Sequence, residues 1–216
     1  MRSKFDAQLH ELNNEIITMS ALVESAIAAA ARALENRDAA LAEQVAGSDS
    51  VIDDKMREIE QLCLKLLLQQ QPVASDLRLI SAAMKMITDI ERIGDQAADI
   101  AELTLLLCQQ EGITSAAQLK DMARSTIHMV SGAIDAFVHR DLHMAREIME
   151  YDDVVDRQFD DIKASLVAAI KEDRDLGETA IDEIMIAKYF ERIGDHAVNI
   201  AEWVDFSITG QLLSGS

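Results

Sequence analysis

The sequence predicts an all-α protein with six long helices that form two tandem, repeat-related antiparallel three-helix bundles. Composition is the first reason, since the 216 residues include one proline and eight glycines and are rich in Ala, Leu, Glu, Met, Ile and Gln. These residues favour helices, and a β-sandwich or barrel of this length would need many more turn residues. The second reason is that the chain repeats itself after about 100 residues, which is typical of a duplicated structural unit.

The repeat is clearest in a twelve-residue motif. Residues 91–102 read ERIGDQAADIAE and residues 191–202 read ERIGDHAVNIAE, with nine of twelve positions identical at an offset of 100. Upstream the match continues at an offset of 103, which pairs Arg37–Asp38 with Arg140–Asp141 and Val51–Ile52–Asp53 with Val154–Val155–Asp156. The offset changes near Pro72, where a loop can absorb three residues. We therefore predict one unit over residues 1–112 and a second over residues 113–216, with the boundary near Gly112.

Each unit divides into three helical stretches. The predicted helices cover residues 4–35, 38–70, 75–110, 115–139, 141–172 and 178–209. Asp38 and Asp141 stand where N-caps belong, Ser75 follows Pro72, and Thr114–Ser115 follows Gly112. Each helix has one apolar stripe to bury, and short connections make neighbouring helices antiparallel. Each unit is therefore predicted to be a three-helix bundle.

Gly94 and Gly194 occupy equivalent positions in the third helix of each unit. A glycine inside a helix costs about 1 kcal/mol relative to alanine. Alanines at 97, 101, 197 and 201 lie on the same side, which predicts a close helix–helix crossing at both glycines. The alternative is that both copies inherited a harmless glycine.

The net charge of −19 and the pI near 4.5 limit the classes of partner. A strongly negative protein repels nucleic-acid phosphates and anionic lipid surfaces, so we expect no nucleic-acid binding. Association with a membrane would have to run through a protein partner or through bound cations. We also find no unbroken apolar run of 18 residues, and so expect neither a signal peptide nor direct membrane insertion. Cys63 and Cys108, which lack a CxxC partner, are predicted to be reduced, packed residues of a cytoplasmic protein.

Rows of carboxylates recur in both units. On the third helices, Glu91, Asp95, Asp99 and Glu102 stand at steps of 4, 4 and 3, and the second copy has Glu191, Asp195, Asn199 and Glu202. At 100° per residue such a row covers about 80° of arc, opposite the apolar stripe. Short acidic pairs also lie on the second helices, at Asp49 and Asp53 and at Asp152 and Asp156. We expect antiparallel packing to place the acidic ridges of each bundle side by side on its outer surface.

A duplicated acidic ridge predicts a bound cation. Like charges at i, i+4 destabilise a helix, and carboxylate oxygens are ligands for Mg²⁺, Ca²⁺ and Mn²⁺, and less exclusively for iron or zinc. A solvated acidic face on an acidic protein is the other interpretation. Arg92 and Arg192 follow the first glutamate of each ridge and could neutralise part of it. His196 has no histidine counterpart in the first unit, and we interpret it as a surface residue rather than a ligand.

No catalytic motif is found in the chain. No histidine has an acidic residue three positions before it, which a ferritin-like di-iron site would need. A phosphate-binding glycine loop, a GxGxxG motif and an HExxH motif are also missing from the sequence. We therefore predict that the protein is not an enzyme.

Four segments together resemble the PhoU family of phosphate-uptake regulators. They are the opening FDAQLHELNNEIITMSALVESAI, the segment LENRD, the run PVASDLRLI and the doubled ERIGDxAxxIAE. The resemblance covers residues 4–206, and the doubled motif is its most specific part. It implies a cytoplasmic, often homodimeric protein of two three-helix bundles, which reaches the inner face of the membrane only through partners.

The resemblance also implies a function and a set of site residues. The expected function is negative regulation of phosphate uptake and phosphate-starvation signalling, as an adaptor between the ATPase subunit of the phosphate ABC transporter and a phosphate-sensing histidine kinase. Family motifs of the E(D)xxxD type can hold divalent or trivalent metal ions, such as Mg, Mn, Fe or Zn. The matching residues are Asp49, Asp53, Glu91, Asp95, Asp152, Asp156, Glu191 and Asp195, with Asp99 continuing its row. Asn199 interrupts the second row, which predicts that the second site holds fewer ions or binds them more weakly.

Two other functions are compatible with these patterns. One is a metal-binding helical protein with a storage or hydrolytic role unrelated to phosphate signalling. The other is a purely structural helical scaffold that binds no metal.

Overall fold

The computed structural model describes residues 2–69, 73–110 and 115–212. Over these ranges the chain is helical and contains no β-strand. The helices are α1 (Arg2–Asn36), α2 (Ala39–Ala46), α3 (Asp49–Gln69), α4 (Ala74–Leu107), α5 (Ala116–His139), α6 (Leu142–Glu172) and α7 (Gly177–Thr209), with a 3₁₀ turn at Arg174–Leu176. The predicted all-α fold of two repeat-related three-helix bundles is confirmed. The predicted boundary at Gly112 and the offset change at Pro72 lie outside the described residues.

The second helix of the first repeat is broken, whereas we had predicted one helix over residues 38–70. Gly47 ends α2, its N–H donating to the carbonyl oxygens of Glu43 and Val45, and Ser48 Oγ donates to the Val45 oxygen at 2.8 Å. In the second repeat the equivalent positions carry Glu150 and Tyr151, and α6 runs through them without interruption. Glycine and serine are weaker helix formers than glutamate. The break therefore follows from a local difference between the repeats.

Both predicted aspartate N-caps are confirmed. Asp38 Oδ1 accepts from the backbone N–H of Leu41 at 3.0 Å, and Asp141 Oδ1 accepts from that of Met144 at 3.1 Å. Arg37 and Arg140 directly before them adopt left-handed conformations, with φ of 52° and 54°. The turn between the first and second helices is thus duplicated together with the helices.

The repeats pack against each other mainly through α4 and α7, which run antiparallel. Near one end Gln110 Nε2 donates to Asp182 Oδ2 at 3.1 Å, and near the other end the Arg78 side chain lies beside Gly210. A single cluster of buried apolar residues spans both repeats, and α1 also contacts α5. The third helices therefore hold the two bundles together as one molecule.

Helix α1 is strongly apolar although charged residues interrupt it. By length and composition, residues Phe5–Asn36 could cross a membrane, with a mean hydropathy of 1.4 in their most apolar window. We had expected no membrane insertion because the chain has no unbroken apolar run of 18 residues, and charged residues such as Glu24 and Arg32 do interrupt this helix. In the fold, however, Leu12, Ile16, Met19 and Val23 of this helix are fully buried in the protein core. The apolar character of α1 is accounted for by packing inside the bundle.

The two cysteines are free thiols in different settings. Cys63 is buried in the core, and burial raises the pKa of its thiol to about 12, which keeps it protonated. Cys108 is half-buried at the C-terminal end of α4. Cys63 is therefore a packing residue, as predicted.

Candidate functional site

Gly94 and Gly194 both lie where the second and third helices of a repeat approach each other. A Cβ at Gly94 would lie 2.7 Å from Ile52 Cδ1 on α3. A Cβ at Gly194 would lie 3.3 Å from Asp152 Oδ1 and 3.4 Å from Val155 Cγ1 on α6. The predicted close crossing is confirmed in both repeats. It brings the acidic residues of the second helix towards those of the third.

The first acidic cluster consists of Asp53 on α3 and of Glu91 and Asp95 on α4. Two arginines bind these carboxylates: Arg57 Nη2 lies 3.5 Å from Asp53 Oδ2, and Arg92 Nη1 lies 3.0 Å from Asp95 Oδ2. Arg92 Nε also lies 3.5 Å from Glu91 Oε2. Arg57 also pairs with Asp54 at 2.6 Å, so the two arginines offset only part of the negative charge of the first cluster.

Glu91 lies deepest in the first cluster, with 17% of its side chain exposed. Its pKa is raised, chiefly by burial and then by the charges of Asp95 and Asp53. Glu91 is therefore partly covered by neighbouring helices, whereas we had predicted the ridge on the outer surface; Asp95, in the same row, keeps 35% of its side chain exposed. The reason is that α7 packs against α4 and covers part of the face that a single bundle would leave open.

The second acidic cluster consists of Asp152 and Asp156 on α6 and of Asp195 on α7. The pKa of Asp152 is raised to about 6, first by burial and then by the charges of Asp156 and Asp195. Burial and then the charge of Asp195 raise the pKa of Asp156, and the charge of Lys188 lowers it in part. Glu191, in the same row as Asp195, contacts the ammonium group of Lys188. Three carboxylates of opposing helices therefore lie close enough to repel one another.

The second cluster lacks the arginines of the first. Position 160, the counterpart of Arg57, is an aspartate, and Arg192, the counterpart of Arg92, interacts with Asp99 instead. No arginine bonds Asp152, Asp156 or Asp195 within the ranges that the structure covers. Asp152 Oδ1 is buried there without a hydrogen-bond partner. This cluster carries the larger uncompensated negative charge.

Two of the predicted residues stand apart from the clusters. Asp99 is half-buried in the contact with α7, where burial and the charge of Glu102 raise its pKa and Arg192 lowers it. Asp49 is the first residue of α3, but its side chain lies outside the described part of the structure. The structure therefore groups seven of the nine predicted residues around the two crossings.

A polar contact between α4 and α7 was not predicted. Asp89 Oδ1 lies 2.9 Å from His196 Nδ1 and accepts from Asn199 Nδ2 at 3.1 Å. His196 is consequently half-buried between the repeats, whereas we had interpreted it as a surface residue. Asn199 departs from the acidic row because it contributes to this contact. The sequence carried one indication of this contact: His196 and Asn199 both differ from their counterparts in the first repeat, Gln96 and Asp99.

The donor chemistry of the second cluster fits a hydrated divalent cation. Carboxylate oxygens suit hard cations, and Asp152 Oδ1 is an acceptor that lacks a partner. In the described part of the chain, no three Asp, Glu, His or Cys groups converge on one point. Mg²⁺ commonly keeps several waters and uses only one or two protein carboxylates. A pair of aspartates with water as the remaining ligands matches this arrangement.

Comparisons with known proteins agree with the fold and with the repeat. The PhoU domain model matches residues 16–104 and again residues 119–204. The phosphate-specific transport system accessory protein PhoU homolog of Clostridium acetobutylicum is 35% identical over 211 residues, which cover 97% of this chain and 96% of that protein. The phosphate-specific transport system accessory protein PhoU of Escherichia coli is 31% identical over 208 residues, which cover 96% of this chain and 86% of that protein.

A solved structure shows the same architecture. The crystal structure of PhoU from Pseudomonas aeruginosa superimposes with a TM-score of 0.90 at 35% identity, covering 96% of this chain and all of that one. The sequence matches and the structural match both extend over both repeats. The chain therefore belongs to the PhoU family.

Proposed function

We propose that this protein is an accessory regulator of phosphate transport that represses phosphate uptake and phosphate-starvation signalling when phosphate is plentiful. The observation that carries the proposal is the near full-length similarity to proteins named as phosphate-specific transport system accessory proteins. The absence of any catalytic motif from the sequence is in keeping with an accessory role.

The protein acts as an adaptor at the cytoplasmic face of the membrane. Its partners are the ATPase subunit of the phosphate ABC transporter and a phosphate-sensing histidine kinase. The net charge of −19 disfavours direct contact with anionic lipids, which favours membrane association through these protein partners. As a homodimer, it would present each docking surface twice.

Bound cations neutralise the acidic clusters. Asp152, Asp156 and Asp195 hold the first cation because no arginine pairs with them within the described ranges, whereas Arg57 and Arg92 offset part of the charge of the first cluster. The second cluster is thus proposed to bind a cation before the first, whereas Asn199 had led us to expect weaker binding in the second repeat. A divalent cation here supplies positive charge between α6 and α7. It thereby couples the packing of these helices to metal availability.

Pull-down measurements test the adaptor role. The tagged protein, loaded with Mg²⁺, is expected to retain the transporter ATPase and the histidine kinase from mixtures of purified components. A protein of similar size and charge serves as the control for non-specific attraction. Failure to retain either partner would contradict the proposal.

Metal analysis tests the clusters. Replacing Glu91, Asp95, Glu191 and Asp195 with alanine is expected to remove bound metal, as measured by equilibrium dialysis and elemental analysis. Circular dichroism should show unchanged helix content, since these side chains are not part of the apolar core. Unchanged metal content in a folded variant would overturn the assignment of these residues.

Single-cluster variants test the order of binding. Asp195→Asn should reduce the affinity for the first Mg²⁺ more than Asp95→Asn, its counterpart in the first repeat. Arg57→Ala should in turn strengthen binding at the first cluster, because it frees the Asp53 carboxylate. Equal effects of the two asparagine substitutions would show that the clusters are equivalent.

A further inference from the structure

Each repeat has a surface groove between its first and second helices, and the two grooves differ in charge. The second-repeat groove, between α5 and α6, has a volume of about 630 Å³. Its counterpart in the first repeat, between α1 and the α2–α3 segment, has about 280 Å³. The larger groove is bordered by Asp135, Glu147 and Glu150, whereas none of the described residues that line the smaller one is charged.

The floor of the larger groove is apolar and follows one face of α6. Met144, Ile148, Tyr151 and Val154 stand at steps of 4, 3 and 3, and all contribute to the lining. This spacing is that of a stripe that packs against another helix. Ten residues of helix correspond to about 15 Å, or nearly three turns. The stripe is thus long enough to bind a short helical segment.

Among the described side chains, the acidic rim has one ion-pair contact, and its partner is a histidine. His143 Nδ1 lies 3.2 Å from Glu147 Oε2, and Arg146 Nε is bound to the buried Asp205 at 3.1 Å. Asp135 and Glu150 have no ion-pair partner among the described side chains and are exposed. The groove therefore presents negative charge beside an apolar floor.

The counterpart positions show that this charge belongs to the second repeat alone. Gln44 stands where the second repeat has Glu147, Gly47 where it has Glu150, and Arg32 where it has Asp135. The same fold position is therefore neutral or basic in one repeat and acidic in the other. The three position pairs together differ by four unit charges, which the packing of the bundle does not require, because both bundles have the same architecture.

We propose that the α5–α6 groove is the docking site for a basic amphipathic helix of a partner protein. The apolar stripe of that helix would lie on Met144, Ile148, Tyr151 and Val154, and its lysines or arginines would pair with Asp135, Glu147 and Glu150. This is the helix-in-groove mode of recognition, with specificity supplied by complementary charge. The inference rests on the proposed adaptor role, since it names the surface and the kind of segment through which docking occurs.

A synthetic peptide tests the groove directly. The probe is a fluorescently labelled helical peptide of about 18 residues with a leucine stripe flanked by lysines, titrated with the full-length protein and followed by anisotropy. The variant Glu147→Gln/Glu150→Gln should raise the Kd by about fivefold or more, as expected for two lost charge pairs. The control variant Glu11→Gln/Glu172→Gln removes the same net charge from exposed positions outside the groove and should change the Kd by less than about twofold.

Several outcomes decide the proposal. Equal weakening by both double variants would show non-specific charge attraction and would overturn it, as would equal affinity for a peptide with the same composition but a scrambled leucine stripe. If the groove variant changes self-association in sedimentation equilibrium, the occupant is a second copy of this chain and the proposal is wrong. A specific peptide effect without any retention of ATPase or kinase would uphold the groove while contradicting the adaptor role with those partners. Retention of both partners with no peptide effect would uphold the adaptor role and contradict the proposed groove.

Discussion

Replacement of Asp152 by asparagine is expected to stabilise the metal-free protein at neutral pH. Asp152 lies half-buried in the second acidic cluster, and burial together with Asp156 and Asp195 raises the pKa of its carboxyl group from 3.8 to about 6. A carboxyl group that is harder to ionise in the folded state destabilises the fold whenever it is ionised. Asparagine has nearly the same shape and no charge, and its amide can donate to the neighbouring carboxylates.

The size and sign of the effect follow from the two pKa values. The difference between 3.8 and about 6 corresponds to about 3 kcal/mol without solvent screening. Because the side chain is only half-buried, screening reduces this to about 1 kcal/mol. The penalty is absent below the unfolded pKa of 3.8 and is fully present above the folded pKa of about 6. The gain from Asp152→Asn should therefore be largest above pH 6 and fade as the pH falls towards 4.

Thermal unfolding in EDTA provides the assay. At pH 7.5 the variant should melt about 2–4 °C above the wild type, as expected for about 1 kcal/mol in a chain of this size. At pH 4 the difference should nearly vanish. Asp161→Asn, on an exposed position of the same helix, should have little effect at either pH. Addition of Mg²⁺ should stabilise the wild type and leave the variant unchanged. A gain that is the same at both pH values, or no gain at pH 7.5, would refute the electrostatic explanation.

Three further substitutions test the packing around the site. Gly94→Ala should lower the free energy of unfolding by about 1 kcal/mol in urea titrations, because the clash with the buried Ile52 outweighs the better helix propensity of alanine; a more stable variant would show that the crossing is not tight. His196→Ala should cost about 1–2 kcal/mol in the same measurement, because it removes a half-buried hydrogen bond to Asp89 between the repeats, and no loss would assign that contact no role in holding the bundles together. Glu183→Ala should destabilise the fold by about 2 kcal/mol in thermal denaturation, since this fully buried carboxylate accepts from the backbone N–H at the start of α5; an unchanged melting temperature would contradict that role.

Local sequence signals were enough to predict most of the fold. The duplicated motif, the aspartate caps and the scarcity of turn residues are short-range features, and the helices they predicted are present. The break at Gly47 was missed because the repeats stay in register across it, with an offset of 103 on both sides. A comparison of helix propensity between Gly47–Ser48 and Glu150–Tyr151 would have indicated it.

The arrangement of the site could be predicted only in part. The periodicity placed the carboxylates of each repeat on neighbouring ridges, and the glycines predicted the crossing where the ridges meet. The periodicity could not show that α4 packs against α7, because it identifies the apolar face of a helix but not the helix that packs on that face. The pair of Asp89 and His196, 107 positions apart, and the partial burial of Glu91 both follow from that packing.

The most direct test of the proposed function is alkaline phosphatase activity in a strain that lacks the gene. On phosphate-rich medium, where the enzyme is normally repressed, the deletion strain should show high activity, and the intact gene should restore repression. Equal, low activity with and without the gene would contradict a role in repressing the response to phosphate starvation.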